Sequence, residues 1–326
     1  MTAEPNTKRV LLAGASGYIG QEVAAQLVQR GYDLTIVTRP EADPISDPRL
    51  QSARSIVVSL ESADACRAGL TAERWDVVIS CIASRTGTAL DSGAVDYQAN
   101  ANLLNATTHP SRHFVLLSAI CVQRPRLAFQ RAKLKFEAEL QDAPGVWTVV
   151  RPTAFFKSLA GQLPRLQAGK PFLMFGDGTL TACKPISAAD LAGFMCGAIE
   201  QPALRNQILA VGGPGPALTP RAQGEMLFEL LGATPRFRSV PSGFLAVLAA
   251  CLAPVAAISK RARQKAELLR IGHYYATESM LVWDRDTSQY SAEATPEYGC
   301  DTLRAYYAAL IENGMGSEDL GEQKLF

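Results

Sequence analysis

The sequence predicts an α/β fold in which a doubly wound parallel sheet carries a smaller C-terminal lobe. Three observations point there. Short runs rich in Val, Ile and Leu alternate with helical periodicities along the first half of the chain. The first of these runs breaks into a glycine triplet that opens a helix. A chain of 326 residues with 48% hydrophobic content can bury a large core and still build a second lobe.

The elements follow in order. Arg9-Val10-Leu11-Leu12-Ala13 is the first strand, and it runs into Gly14-Ala15-Ser16-Gly17-Tyr18-Ile19-Gly20 before a helical pattern over Glu22 to Gln29 that Gly31 closes. Gly14 frees the turn out of the strand, Gly17 opens the backbone to a pyrophosphate, and Gly20 lets the helix pack close to the sheet. An anion then meets the unpaired N–H groups and the positive end of the helix dipole. Leu34 to Thr38 is the second strand and completes a βαβ unit, so the turn reads as a Rossmann-type dinucleotide site. Its expected cofactor contacts are Gly14, Ser16, Gly17, Tyr18, Ile19 and Gly20. Arg39 follows the second strand, where an acidic side chain would ordinarily accept from the ribose hydroxyls. A cation there pairs with a 2′-phosphate instead, so NADPH is expected rather than NADH; the competing reading of Arg39 is a solvated loop charge.

Ser55 to Leu60 is the third strand and Trp75 to Ile82 the fourth, followed by the loop Ala83-Ser84-Arg85-Thr86-Gly87, which is expected over the cofactor with Cys81 and Ala83 as contacts. A helix containing Asp96 to Leu104 leads to a fifth strand, His113 to Ser118, whose composition predicts burial on both faces. The sixth, Trp147 to Pro152, carries the chain out of the nucleotide domain, with Pro152 as a last cofactor contact. The expected organisation is a nucleotide-binding domain over 1–160, with 186–212 returning to it, and a substrate lobe made of 161–185 and 213–326.

Composition excludes several classes. A net charge of +1 gives no reason to expect a nucleic-acid partner. Seven cysteines, without a CxxC or a Cys/His cluster, read as reduced thiols and not as a disulfide framework or a metal site. Met1 to Lys8 is short and polar, with no signal or transit pattern, and Asn313 to Phe326 reads as a flexible tail. A bacterial cytoplasmic protein is expected.

The chain resembles the extended, atypical branch of the short-chain dehydrogenase/reductase superfamily. The resemblance rests on Gly14 to Gly20, Asn100 and Asn102, Leu117-Ser118-Ala119, Arg151-Pro152, Gly176-Asp177-Gly178 and Pro185 to Ala192. It implies catalytic roles for Ser118 and Lys133. It also exposes a departure, because the superfamily's proton-donating Tyr precedes its Lys by four residues, and here that position is Phe129 in Phe129-Gln130-Arg131-Ala132-Lys133. A ring without a hydroxyl cannot protonate an alkoxide, which disfavours ordinary carbonyl reduction. Lys133 can still bond the nicotinamide ribose and stabilise negative charge; its competing reading is an exposed helix cation.

A narrower resemblance covers Leu117 to Val122, Phe129 to Glu137, Arg151 to Leu159, Cys183 to Ser187 and Tyr274 to Met280. These runs are similar to those of the NADPH-dependent divinyl chlorophyllide a 8-vinyl reductases of phototrophs. The resemblance implies reduction of the C8 vinyl group of a magnesium tetrapyrrole to ethyl. The chemistry agrees: the macrocycle spreads the charge of the intermediate, so the protein needs mainly to position the alkene and exclude water. Lys133, Lys157 and Tyr275 stand as alternative proton donors.

Phe155, Phe156, Lys157 and Tyr275 are the expected substrate contacts, with the run Phe172 to Phe175 and Tyr274 as further lining of an apolar slot. No metal site is expected, a lone His273 reading as structural. Gly243 to Ile258 holds sixteen uncharged residues followed by Lys260, Arg261, Arg263 and Lys265. That is short of the roughly 20 residues needed to span a bilayer, and leaves three readings: peripheral contact of 243–265 with an inner or photosynthetic membrane, a lid, or a buried helix. Two non-enzymatic alternatives share the glycine motif and lack the Tyr: an NmrA-like NADP-binding redox sensor and a catalytically silent scaffold.

Overall fold

The fold is described from a computed structural model, which covers residues 8–43, 46–110 and 112–314. Met1 to Thr7, and the tail from Met315 onward, lie outside the described residues. The chain opens with β1 (Arg9–Ala13), α1 (Tyr18–Gln29), β2 (Asp33–Thr38), β3 (Arg54–Val57), α2 (Ala63–Leu70) and β4 (Val77–Ser80). Next come α3 (Ala89–Ser92), a π-helical stretch (Gly93–Ala99), α4 (Asn100–Ala106), β5 (His113–Leu117), α5 (Ala128–Asp142) and β6 (Val146–Pro152). They are followed by α6 (Phe156–Leu159), α7 (Leu163–Gln167), β7 (Phe172–Phe175), α8 (Ala188–Glu200), β8 (Gln207–Val211), α9 (Pro220–Leu230) and β9 (Phe237–Val240). The last elements are α10 (Phe244–Ala256), α11 (Lys260–Thr277), β10 (Val282–Asp284), β11 (Gln289–Ser291) and α12 (Leu303–Asn313).

Seven strands form one sheet in the order β3-β2-β1-β4-β5-β6-β8, the doubly wound α/β arrangement that the sequence predicts. Every pair from β3 to β6 runs parallel, with Leu12 opposite both Ile36 and Ile79, and Ile79 opposite Val115. Parallel central strands are covered on both faces, which is why β1, β4 and β5 are continuous apolar runs and not alternating ones. The strand order reverses between β1 and β4, and in such sheets ligands bind beyond the carboxyl ends of the strands at that switch point.

Contacts divide the chain into two compact units. The first runs to Ser84 and adds Ala89–Pro152 and Ala188–Ala210; the second is Arg85–Thr88, Thr153–Ser187 and the chain from Val211 onward. In the first, Leu11, Val78, Phe114 and Leu116 pack with Leu103, Phe136 and Leu140 from the helices. In the second, Phe156, Leu163, Phe172, Leu227 and Tyr307 form the centre.

Several boundaries move. α1 begins at Tyr18, four residues earlier than the apolar periodicity suggests. The third and fourth strands are shorter than predicted, because Val57 ends an edge strand at 66% exposure and Trp75 leaves the ladder to donate from Nε1 to the Leu70 carbonyl. The single helix expected around Asp96 to Leu104 is a π-helical stretch followed by α4, a change of winding that side-chain periodicity does not announce.

His113 at the start of β5 makes the fold sensitive to pH. Its ring is buried, and Nε2 lies 2.9 Å from the Thr148 hydroxyl, which itself donates to the Leu204 carbonyl. Burial, reinforced by Arg205, Lys8 and Arg112, pushes the His113 pKa down to about 4. The unfolded chain takes up that proton near its ordinary value of about 6.5. Stability from the neutral ring is therefore complete above about pH 6.5 and falls as the pH drops toward 4, by roughly 3 kcal/mol over the window. Urea midpoints across that range should decline less steeply in His113→Asn than in the wild type; parallel slopes would remove His113 as the cause.

Candidate active site

Gly14 leaves β1 at φ +88°, in the left-handed region, and a Cβ there would stand 2.7 Å from the Cys81 carbonyl carbon. At Gly20 a Cβ would fall inside the Gly14 carbonyl oxygen, so this position must be glycine for α1 to start where it does. Gly17 is exposed and caps α1 with extended backbone; no side chain caps the helix and no acidic residue stands in its first turn. An uncapped, uncrowded helix N-terminus beside the switch point is a cradle that fits a pyrophosphate. Ser16 is exposed and Tyr18 partly so at its rim, whereas Ile19 is in the core and can meet a ligand only through its backbone.

Arg39 is exposed just past β2 and forms no ion pair among the described residues, unlike Arg49, which Asp47 and Glu22 hold. Ala83 is exposed beyond β4 and Pro152 is buried at the end of β6. Burial, with Cys196 alongside, pushes the Cys81 thiol far above its ordinary range. What Cys81 offers is backbone, hydrogen-bonded from its N–H to the Ala13 carbonyl at 2.9 Å.

Lys133 on α5 is not an exposed helix cation. Its side chain is 12% exposed, and Nζ lies 2.8 Å from Oδ1 of Asp96, a carboxylate with no exposed surface. The Ser84 hydroxyl donates to Asp96 Oδ2 at 2.5 Å and the Ser84 N–H to Oδ1 at 3.3 Å. Asn100 steadies the same stretch, accepting from the Ser80 hydroxyl at 2.6 Å and donating to the Asp96 carbonyl at 3.2 Å. Phe129, one turn before Lys133, is buried. Ser118, also buried, donates to Glu137, whose carboxylate is held by Arg151 from β6. Nothing in the spacing of Asp96, Glu137 and Arg151 links them to Lys133 or Ser118, so the sequence does not announce these partnerships.

In the second unit the expected substrate residues divide. Phe156 is spent on the core, its ring 5.5 Å from that of Tyr306, and Phe172 and Met174 are core as well. Phe155, Lys157, Leu173, Phe175 and Tyr275 remain partly exposed, the Tyr275 ring lying edge-on to Tyr274 at 5.7 Å. His273 donates from Nδ1 to the Ser242 carbonyl at 3.1 Å, tying α11 to the segment before α10.

A family model described as NAD(P)H-binding matches residues 14–202. A divinyl chlorophyllide a 8-vinyl-reductase of Oryza sativa subsp. indica is 45% identical over 99% of this chain and 83% of its own length. The chain belongs to the divinyl chlorophyllide a 8-vinyl-reductases. The Arabidopsis thaliana 8-vinyl-reductase is 44% identical over 98% of this chain and 80% of its own. Among solved structures, an NADPH-dependent quinone oxidoreductase of Escherichia coli complexed with NADPH superposes with a TM-score of 0.66, covering 93% of this chain and 99% of its own at 16% identity. That likeness concerns the fold.

Three of the runs similar to those of the 8-vinyl-reductases, those around Thr153, Lys184 and Met280, meet in the second unit. Ile186 N–H donates to the Ala154 carbonyl, Ala182 N–H to the Ser279 hydroxyl and Met280 N–H to the Ala182 carbonyl, and the Thr153 hydroxyl donates to the Lys184 carbonyl. Lys184, itself buried, reaches Glu297 at 2.6 Å. In these three runs, the bonds shown hold the second unit together.

Proposed function

We infer that the chain reduces the C8 vinyl group of divinyl chlorophyllide a, or of a related magnesium tetrapyrrole, to ethyl in chlorophyll or bacteriochlorophyll synthesis. The observation that carries this is the 45% identity spanning 99% of the chain, with the nucleotide cradle at Gly14 to Gly20 intact. Non-catalytic sensing and scaffolding are not favoured. Reduction adds a hydride to one vinyl carbon and a proton to the other, and the bound nicotinamide nucleotide supplies the hydride.

The first unit holds the nucleotide: Gly14, Gly17, Gly20 and the start of α1 take the pyrophosphate, with Ser16, Tyr18, Cys81, Ala83 and Pro152 around it. Lys133 bonds the nicotinamide ribose and lowers the cost of negative charge nearby. Ser118 stands at the carboxyl end of β5 as a further polar contact. The second unit binds the macrocycle, and Phe155, Lys157 and Tyr275 are its partly exposed candidates. The chemistry tolerates Phe129 because the conjugated ring, not a phenol, absorbs the charge. A rise in mono-vinyl pigment, seen as a Soret shift that tracks NADPH consumption, tests the reading. NADPH binding with an unchanged pigment spectrum would return the chain to the sensor class.

NADPH is the expected donor, and Arg39, exposed and without an ion pair among the described residues, supports it. Arg39→Ala should lower kcat/KM with NADPH by about tenfold or more, the worth of a charge-assisted phosphate contact, and leave NADH little changed. Equal losses with both coenzymes would take Arg39 off the 2′-phosphate.

Among the described residues no helix is long and apolar enough to cross a membrane. We place the chain in the reducing bacterial cytoplasm, which its odd cysteine number supports, with peripheral contact to an anionic membrane. α10 is not the buried helix that was one reading of its sequence, since Ala249 alone of its residues is buried. Phe244, Val247 and Val255 are exposed at 48–61% and Ile258, just beyond, at 89%. α11 packs against α10, and its first two turns carry the exposed Lys260, Arg261, Arg263 and Lys265 shortly after Ile258. Apolar surface flanked by cations suits a negatively charged interface. The protein should float with vesicles containing anionic lipid, and Val247→Asp with Ile258→Asp should cut the bound fraction severalfold; undiminished flotation would place the contact elsewhere.

A further inference from the structure

We propose that Asp96 is a positioning residue for the reductase reaction, holding the Lys133 ammonium and the Ser84 loop in one arrangement for the bound nucleotide. The inference rests on the reading of Lys133 as the residue that meets the nicotinamide ribose.

The geometry is specific. Asp96 is the only carboxylate among the described residues that pairs with Lys133, and it is withdrawn from solvent while the lysine keeps a small exposed surface. A lysine so confined has three N–H donors and gives one to Asp96, so the carboxylate fixes the direction in which the other two point. The second carboxylate oxygen takes the Ser84 hydroxyl, and the Ser84 backbone adds a third bond, so the ammonium on α5 and the loop after β4 are tied through one group. A buried ion is retained only where such bonds satisfy it, and a fully bonded pair is rigid. Asp96 also lies in the π-helical stretch, a winding that carries a cost and recurs at functional sites. Where the superfamily places a Tyr hydroxyl one turn before its Lys, this chain has the Phe129 ring, so orientation of the ammonium falls to Asp96.

Asp96→Asn keeps the size of the side chain and removes its charge. Expected is a fall of about tenfold in kcat with the pigment KM within about threefold, since the loss falls on a group acting in the transition state. In a Lys133→Ala background the same change should add less than about twofold, because its effect runs through the ammonium that is already gone. Independent, multiplying losses would mean that Asp96 only supports the fold and would overturn the proposal, as would Asp96→Asn with kcat within twofold of wild type. The cycle is repeated on NADPH affinity by nucleotide fluorescence, which needs no pigment chemistry. If wild-type protein reduces no pigment, the proposed function falls while the nucleotide cycle still decides on Asp96. Should Asp96→Asn fail to fold by circular dichroism, Ser84→Ala is cycled against Lys133→Ala: non-additive losses in NADPH affinity are expected, and additive ones overturn the coupling.

Discussion

Gly20→Ala should raise the dissociation constant for NADPH by about a hundredfold or more, the largest effect expected of a single methyl group in this chain. The reason is steric. The added Cβ falls within the Gly14 carbonyl oxygen, and the neighbouring contacts are backbone atoms of Gly14 and Ala15 that cannot rotate away. Relief requires α1 to move off β1, which withdraws the helix N-terminus from the pyrophosphate, and a displacement of about 1 Å in a positioned site typically costs about 10²-fold. Gly17→Ala serves as the comparison, because its Cβ meets only the Gly14 carbonyl oxygen at 3.3 Å and α1 can stay in place. Fluorescence titration of both folded variants measures the contrast. An Ala at position 20 that binds NADPH within threefold of wild type would show that the close approach of helix and turn is not what forms the cradle.

Lys133→Ala should lower kcat by about 10² or more, the usual worth of a positioned electrostatic contact. With Tyr replaced by Phe129, Lys133 is the cation that the first unit holds ready at α5, and its burial against Asp96 fixes it there. The substitution also leaves the Asp96 carboxylate buried without its partner, so the variant should melt earlier than wild type. Steady-state rates on folded protein measure the catalytic part. Turnover close to wild type would remove Lys133 from the reaction.

The fold was legible in the sequence because its signals are local. A strand, a glycine turn and a helix lie within twenty-odd residues of one another, and each central strand is apolar throughout because both of its faces are covered. The cradle was legible for the same reason. The anchoring of Lys133 and Ser118 was not: Asp96 meets Lys133 across 37 positions and Arg151 meets Glu137 from another element, and neither pairing leaves a pattern in spacing. Nor could aromatic composition separate Phe155 from Phe156. Adjacent residues at the start of a short helix point in different directions, one into the core and one toward the surface. The apolar α10 illustrates the converse, since its composition alone suits a buried helix and only the surrounding packing shows that its side is open.

The most direct test supplies purified protein with NADPH carrying deuterium at both C4 positions and with divinyl chlorophyllide a, and analyses the pigment by mass spectrometry. The account predicts a mono-vinyl product that has gained two hydrogens, one of them deuterium located in the new ethyl group. Pigment that keeps both vinyl groups, or an ethyl group that carries no deuterium, would contradict it.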